Sequence, residues 1–203
     1  MAVKDHSLDS KIVESAKKEF LELGYSKASL HKIAKNAGTT TGALYTRYKN
    51  KDALFMSLIE GAINEVKQYF EPFSNMYSEV ARTKDPDLFL EVIRRERNIY
   101  LEFLFNYYDE CVLMFLKSEG SSINETTKQM MSYKAKSTVE FLKSISKSDA
   151  DFDGIEFIMQ VQYDYFKRLI ESGCDRDKAV SCMRTAEVFF EAGWRDLFQR
   201  ILP

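Results

Sequence analysis

Proline and cysteine are scarce in this 203-residue sequence, and long apolar runs are absent from it. Three prolines and eight glycines leave few positions that interrupt a helix. No run reaches the roughly 18–20 apolar residues that a membrane-spanning helix needs, so no membrane partner is predicted. The N-terminal residues lack the apolar segment of a signal peptide, and a cytoplasmic protein is therefore expected.

The three cysteines, Cys111, Cys174 and Cys182, lie far apart and form no CxxC motif. A disulfide framework and a zinc cluster are therefore not expected. Reduced thiols that fill core space are the simpler interpretation. The alternative, a redox role, requires electropositive surroundings that the sequence does not identify. We accordingly predict neither a metal nor another cofactor.

Catalytic motifs are also missing. The sequence contains no GxSxG, no glycine-rich phosphate loop and no HExxH. Its two histidines, His6 and His31, lie away from any cluster of carboxylates. Because an active site usually needs a convergent acid–base set, an enzyme is not expected and no catalytic residue is assigned.

Positive charge is concentrated at the N-terminal end of an acidic chain whose net charge is −2. Residues 1–52 hold ten Lys or Arg and six Asp or Glu, for a net charge of +4. The other 151 residues hold 19 basic and 25 acidic side chains, for a net charge of −6. A basic end on an acidic body predicts an anionic partner at that end.

Helical periodicity runs through most of the chain, and no β-strand or repeat is apparent. Ile12, Ala16 and Phe20 begin an apolar stripe at helical spacing, and Gly24 is expected to end that helix. Two short helices and a longer one are predicted next, near residues 29–37, 41–48 and 51–69, the last stopped by Pro72. Further helices are predicted near residues 86–106, with or without a break, 108–118, 123–146, 154–172 and 177–201. The chain is therefore predicted to be all-α.

The most informative segment is residues 29–48, where two short helices are joined by Ala37-Gly38-Thr39-Thr40. Such a tight corner is the geometry of a helix-turn-helix. Gly38 is expected to have a positive φ, which only glycine adopts without penalty. The corner can pack on the first helix through an apolar set made of Ile12, Ala16, Phe20, Ile33, Ala34, Ala37 and Leu44.

The side chains expected to face outward from the second short helix are small, hydroxyl-bearing or long and polar. They are Thr39, Thr40, Thr41, Gly42, Tyr45 and Arg47. A helix N-terminus suits phosphate oxygens, and threonines can meet phosphates or base edges. Tyr45 and Tyr48 are long enough to reach the backbone of DNA, and the cations around them are Lys27, Arg47, Lys49 and Lys51. Double-stranded DNA is therefore the predicted partner; a three-helix subdomain with a solvated basic face is the alternative.

This segment resembles the tetracycline-repressor (TetR/AcrR) family over about residues 10–55. The similarity lies in Leu23-Gly24-Tyr25, Ile33-Ala34-Lys35-Asn36-Ala37-Gly38, Thr40-Thr41-Gly42-Ala43-Leu44-Tyr45-Thr46-Arg47-Tyr48 and Lys51-Asp52-Ala53-Leu54. The resemblance implies a homodimeric transcriptional regulator, usually a repressor, that binds a palindromic operator and is released by a small-molecule effector. It implies a helix-turn-helix DNA-binding domain at residues 1–50. Residues 51–203 would form a helical ligand-binding and dimerisation domain, with residues 51–70 as a connector helix.

The resemblance also assigns roles within the corner. Positions that match Ser29, Thr40, Gly42, Tyr45 and Lys51 touch the DNA backbone in the family, and those around Thr39–Thr41 read bases. The full predicted DNA-binding set is Lys27, Ser29, Thr39, Thr40, Thr41, Gly42, Tyr45, Arg47, Tyr48 and Lys51. The chain departs from the family at Ala28, Thr39, Arg47 and Tyr48, where Thr, Val, His and Phe are usual. Arg47 is expected to strengthen phosphate contact, whereas Ala28 removes one hydroxyl.

The C-terminal helices carry two further predictions. An aromatic-rich block at residues 103–115 can line an effector pocket or form ordinary core. Its candidate ligand-binding residues are Phe103, Tyr107, Met114 and Phe115. Nearby, Arg94, Arg95 and Arg97 can pair with an anionic ligand or form a solvated face with Glu91 and Glu96.

The last two helices carry broad apolar faces, which predict a four-helix interface between two copies of the chain. The candidate interface residues are Ile158, Phe166, Ala186, Phe190, Gly193 and Leu197. An intramolecular hairpin is the alternative for these helices. The rival to a regulator is a helical carrier or interaction module, which predicts no salt-dependent affinity for DNA.

Overall fold

A computed structural model of the chain describes residues 6–70, 73–146 and 151–201. These ranges contain no strand, and the all-α class predicted from the sequence is confirmed. The helices of the described residues are α1 (His6–Lys27), α2 (Leu30–Asn36), α3 (Thr41–Tyr45), α4 (Lys51–Phe70), α5 (Phe73–Thr83), α6 (Pro86–Asn106), α7 (Tyr108–Leu116), α8 (Ser122–Ile145), α9 (Phe152–Ser172) and α10 (Arg176–Ile201). Within these ranges, none of the helices is both long and apolar enough to cross a lipid bilayer.

Most helix ends lie within a few residues of their predicted positions, but two differences stand out. Helix α5 is not predicted from the sequence pattern; it has 11 residues, and its only buried side chains are Phe73 and Val80. Two buried positions seven residues apart give too weak a periodicity to identify a helix. The break considered within residues 86–106 is absent, since α6 is continuous. Pro72, expected to stop α4, lies outside the described residues.

Gly24 interrupts α1 at the point where the sequence predicts that the helix ends. Its φ of 75° and ψ of 165° are non-helical, and the chain turns there before continuing to Lys27. The N–H of the next residue, Tyr25, donates to the carbonyl oxygen of Lys117 at 2.7 Å. The Tyr25 ring then packs edge-on against Phe55, with ring centroids 5.2 Å apart.

The chain divides into two compact units, residues 1–64 with 109–128 and residues 65–108 with 129–203. In the first unit, the apolar set predicted for the corner is buried without exception. Phe20 contacts Phe55 edge-to-face at a centroid distance of 5.0 Å, which places α4 on the same core. The functional boundary expected at residue 50 remains a prediction.

The second unit is built around aromatic side chains from α6 and α10. Phe89 lies with its ring centroid 4.2 Å from that of Phe198 and 6.0 Å from that of Trp194. All three are essentially inaccessible to solvent, and apolar residues of α5, α8 and α9 pack around them. Burial of these aromatic side chains together with their aliphatic neighbours stabilises the unit.

Candidate functional site

Helices α2 and α3 meet in the tight corner predicted from the sequence. The N–H of Thr39 donates to the carbonyl oxygen of Ala34 at 2.9 Å, and Gly38 has a φ of 69°. A Cβ at Gly38 would meet nothing within 4 Å, so the backbone conformation and not lack of space requires glycine. The positive φ expected at this position is confirmed.

Both short helices begin at a capping hydroxyl. The Ser29 hydroxyl accepts a hydrogen bond from the N–H of Lys32 at 3.4 Å, and the Thr40 hydroxyl accepts one from the N–H of Ala43 at 3.1 Å. Each cap satisfies one of the N–H groups that a helix start leaves without an intrahelical partner. The caps therefore define where α2 and α3 start and fix the direction of the chain between them.

The underside of the corner is anchored to α1. Leu44 is the buried residue of α3, and Ile33 is buried in α2. The Ser15 hydroxyl of α1 donates to the carbonyl oxygen of Ile33 at 3.0 Å. With this side held down, the opposite side of α3 faces solvent, and Tyr45 is 53% exposed.

The ten residues predicted to bind DNA lie in or beside this corner, but they differ in exposure. The exposed ones are Lys27, Ser29, Thr40, Gly42 and Tyr45, and the half-buried ones are Thr39, Thr41, Arg47, Tyr48 and Lys51. The structure thus leaves hydroxyls exposed at the starts of α2 and α3, and the Tyr45 phenol exposed at the last residue of α3.

Arg47 does not face outward, which corrects the expectation from the sequence. Its guanidinium forms an ion pair with Asp9 of α1, and Nη1 donates to the carbonyl oxygen of Ala43 at 3.2 Å. Only 18% of the side chain is exposed. Because Asp9 precedes Arg47 by 38 residues, the sequence around Arg47 does not indicate this partner.

Lys51 is also engaged within its own unit. Its ammonium donates to the carbonyl oxygen of Ser26 at 3.2 Å and lies 4.8 Å from the centroid of the Tyr25 ring. Burial lowers the pKa of Lys51. The ammonium still stands beside the corner, where it ties the turn after Gly24 to the start of α4.

Two residues that the sequence analysis leaves unassigned share a groove with the threonines. The groove has a volume of about 390 Å³ and is lined by His31, Ala34, Lys35, Thr39, Thr40 and Thr41. His31 and Lys35 are exposed and lie four residues apart, on one face of α2. The four-residue spacing of His31 and Lys35, directly before the predicted corner, is the sequence pattern that could have identified them.

A second candidate site is a cavity of about 70 Å³ in the second unit, among α6, α9 and α10. Its lining is mainly aromatic and aliphatic. The lining residues are Ile93, Glu96, Arg97, Tyr100, Met159, Gln162, Tyr165, Phe166, Met183, Ala186, Glu187, Phe190, Glu191 and Trp194.

The arginines near this cavity are paired within the unit. Arg97 contacts Glu187, and Arg94 lies 2.8 Å from Glu191 and 3.3 Å from Glu187. Arg95 pairs with Glu91 on the exposed side of α6. Arg95 therefore lies on a solvated helix face, one of the two alternatives predicted for these arginines. Arg94 and Arg97 instead connect α6 to α10 through their ion pairs.

None of the four residues predicted to bind a ligand lines this cavity. Phe103 and Met114 are buried, and the Tyr107 hydroxyl donates to Glu65 of α4. Met114 and Phe115 belong to the first unit, whereas Phe103 and Tyr107 belong to the second. The aromatic block is continuous in sequence, but its residues belong to two units, and their role in binding a ligand stays a prediction.

The six residues predicted for dimerisation also divide. Phe166, Ala186 and Phe190 line the cavity, and Leu197 packs against the core of its own unit. Ile158 and Gly193 are exposed. The exposed apolar side chains of α9 and α10 are Phe157, Ile158, Val161, Val188 and Phe189, with Phe189 75% exposed.

Two observations concern metal binding and thiol chemistry in the described residues. They contain no group of three or more His, Cys, Asp or Glu that could hold a metal ion. Cys111 is fully buried, and burial raises the pKa of its thiol to about 12. Such a thiol is protonated at neutral pH and suits core filling. The side chain of His6 lies outside the described residues.

Comparisons with known proteins show which fold the chain shares and which family its N-terminal segment resembles. A TetR-like transcriptional regulator from Rhodococcus sp. RHA1 has the same fold, with a TM-score of 0.63 and 16% identity over 95% of this chain and 100% of that one. Residues 12–58, which include the whole corner, match the profile described as bacterial regulatory proteins, tetR family. Over residues 12–58 the chain is similar to the tetR family of bacterial regulatory proteins.

Two curated proteins of Bacillus subtilis (strain 168) resemble this chain over about a third of its length. One is an uncharacterised HTH-type transcriptional regulator, YhgD, 38% identical over 64 residues, or 30% of this chain and 34% of YhgD. The other is a fatty acid metabolism regulator protein, 31% identical over 74 residues, or 36% of this chain and 37% of that protein. The chain thus matches about a third of the length of these relatives.

Proposed function

We propose that this protein is a transcription regulator of the tetR family and that it binds duplex DNA through α3 and the corner before it. The observation that carries the proposal is the exposed side of α3 and its cap, where Thr40, Gly42 and Tyr45 face solvent while Leu44 is buried beneath them. A rigid helix start with small and hydroxyl-bearing residues can approach a phosphate backbone closely.

The contacts divide by chemistry. Ser29, Thr40 and Tyr45 present hydroxyls suited to phosphate oxygens, while the exposed ammonium groups of Lys27 and Lys49 supply salt-dependent affinity. Thr39 and Thr41 border the groove and are the candidates for base contacts, together with His31 and Lys35 on its other wall.

A homodimer is the proposed binding unit. The exposed apolar side chains of α9 and α10 form a surface that a second copy of the chain can cover symmetrically. Two copies would present two α3 helices to half-sites about 34–36 Å apart, one helical turn of DNA. A palindromic operator follows from that symmetry.

The cavity among α6, α9 and α10 is the proposed effector site, in place of the four residues named from the sequence. A small molecule that binds one conformation of the dimer better than another shifts the population toward it. If the spacing of the two α3 helices differs between these conformations, the effector changes operator affinity. Release of a repressor is the proposed direction.

The test is a fluorescence-anisotropy titration of the protein onto duplex DNA from upstream of its own gene. We expect affinity to fall steeply with salt, and Tyr45→Ala to weaken it about tenfold, equivalent to about 1.4 kcal/mol. Tyr133→Ala is the matched control, because Tyr133 is a 73% exposed tyrosine of α8 that belongs to the other unit. Absence of salt-dependent binding, or equal affinity for the two variants, would favour the carrier-module alternative and reject the proposal.

A further inference from the structure

We propose that the cavity among α6, α9 and α10 takes a small, uncharged aromatic molecule that hydrogen-bonds to the hydroxyl of Tyr165. The inference rests on the proposed function, in which this molecule is the effector. It adds the chemical class of the ligand and the residue that selects it.

The charges around the cavity are already compensated. Its three carboxylates each have a cationic partner within the unit: Glu96 with Lys134 at 2.6 Å, Glu191 with Arg94 at 2.8 Å, and Glu187 with Arg97. An ionic ligand would have to separate one of these pairs and leave a partly buried charge without a partner. An uncharged ligand enters without disturbing them, which favours a neutral molecule.

The size and surface of the cavity favour a single ring. A cavity of about 70 Å³ is far below the roughly 300–1,000 Å³ of pockets for drug-sized ligands. An apolar cavity of about 150 Å³ holds benzene, so one ring requires this cavity to expand to about twice its volume. Met159 and Met183 line the cavity, and their unbranched side chains can move aside.

Aromatic walls add selectivity for a planar ligand. Tyr100 and Phe166 lie with ring centroids 5.5 Å apart, and Trp194 also lines the cavity. Aromatic rings favour offset or edge-to-face neighbours over aliphatic ones of equal area. The lining therefore favours an aromatic ring over an alkyl chain of similar volume.

Tyr165 supplies the polar anchor. This tyrosine lines the cavity, and its hydroxyl is enclosed without a hydrogen-bond partner among the described residues. Burial raises the pKa of Tyr165, so the hydroxyl keeps its proton at neutral pH and can both donate and accept. By contrast, the Trp194 indole N–H already donates to Gln162 Oε1 at 3.3 Å. A ligand with one hydroxyl, such as phenol, satisfies the enclosed group.

The experiment is a titration of the full chain with phenol, followed by the fluorescence of Trp194, the chain's one tryptophan, and by calorimetry. We expect saturable binding of phenol and at least tenfold weaker binding of benzoate and benzylammonium. Tyr165→Phe, which keeps the ring, should weaken phenol about tenfold and leave benzene binding unchanged. Tyr133→Phe is the matched control and should change neither. Ala186→Leu fills the cavity and should abolish binding of both ligands.

Each other outcome overturns a stated part of the inference. Equal affinity for benzoate or benzylammonium overturns the uncharged class, and phenol binding that Tyr165→Phe leaves unchanged overturns the anchor. Absence of saturation in both readouts, or full binding in a folded Ala186→Leu protein, overturns the site. The operator titration without phenol is run in parallel. Intact DNA affinity with no phenol binding rejects only this inference, whereas phenol binding without DNA affinity rejects the proposed function.

Discussion

Asp52 and Ser122 are joined by two hydrogen bonds across 70 residues of sequence. The Asp52 carboxylate accepts one bond from the Ser122 N–H at 2.9 Å and another from its hydroxyl at 2.7 Å. A side chain in the first turn of α4 thus caps the start of α8. Similarly, Lys17 Nζ lies 2.9 Å from Asp109 Oδ2 of α7. Side chains of α1 and α4 thus hold α7 and the start of α8 in the same unit as the helix-turn-helix.

We expect Asp52→Ala to lower the free energy of unfolding by about 1 kcal/mol, because it removes the acceptor that caps α8. Urea unfolding followed by circular dichroism measures the change. Ser122→Ala should lose less, since the backbone N–H still finds the Asp52 carboxylate. The double variant should lose less than the sum of the two. Strict additivity would show that the two residues contribute independently.

Substitutions of two glycines should change stability in opposite directions. Gly24→Ala should cost about 1–3 kcal/mol, because its φ of 75° with ψ of 165° is a conformation that alanine strongly disfavours. Gly61→Ala should gain about 1 kcal/mol, since Gly61 lies within α4 and an added Cβ meets nothing within 4 Å. Thermal unfolding of the two variants tests the pair, and a stabilised Gly24→Ala protein would contradict the strain at that turn.

Substitutions of Arg47 and Lys49 should have different effects, because Arg47 stabilises the corner whereas Lys49 is expected to contact phosphate. Lys49→Ala should lower the slope of log affinity against log salt by about 0.9, the value for one phosphate contact on duplex DNA. Arg47→Ala should leave that slope unchanged and lower the melting temperature instead, because its guanidinium is bound to Asp9. Operator titrations at four salt concentrations measure the slopes. A reduced slope for Arg47→Ala would show that its ion pair opens on DNA.

Phe189→Glu should convert the protein to a monomer. The substitution places a charge on an apolar side chain that is 75% exposed and that a symmetric interface would bury. Sedimentation equilibrium gives the oligomeric state, and Tyr133→Glu, an exposed aromatic residue on α8, is the control. Dimerisation of Phe189→Glu at wild-type strength would place the interface elsewhere.

The sequence predicts the corner well because its determinants are local. Gly38 sets the turn and Thr40 caps α3 from within three residues, so spacing alone identifies them. The partner of Arg47 could not be predicted, since Asp9 meets it only after α1 and α3 pack on a common core.

The cavity and the exposed apolar surface are harder to predict for a related reason. The cavity draws on three helices separated by up to about 100 residues, and no single segment has a distinctive pattern. On α10, Phe189 and Phe190 are adjacent, yet Phe189 is exposed while Phe190 lines the cavity. Periodicity shows that both sides of α10 carry apolar residues, but it does not tell which side meets the chain's own core.

Helix α3 contains only five residues, far fewer than the roughly 12–15 that a helix needs to persist alone in water. Tertiary packing therefore stabilises its helical conformation, chiefly through Leu44, which is buried against the core of α1. Ile12 and Phe20 are both inaccessible to solvent. A conservative substitution at either would weaken the packing under α3 and lower the affinity for the operator, although no residue on the DNA-binding surface is replaced. A substitution in this chain can therefore lower operator affinity in two ways, by removing a contact with DNA or by weakening the packing under α3. Measurements of folding stability distinguish the two.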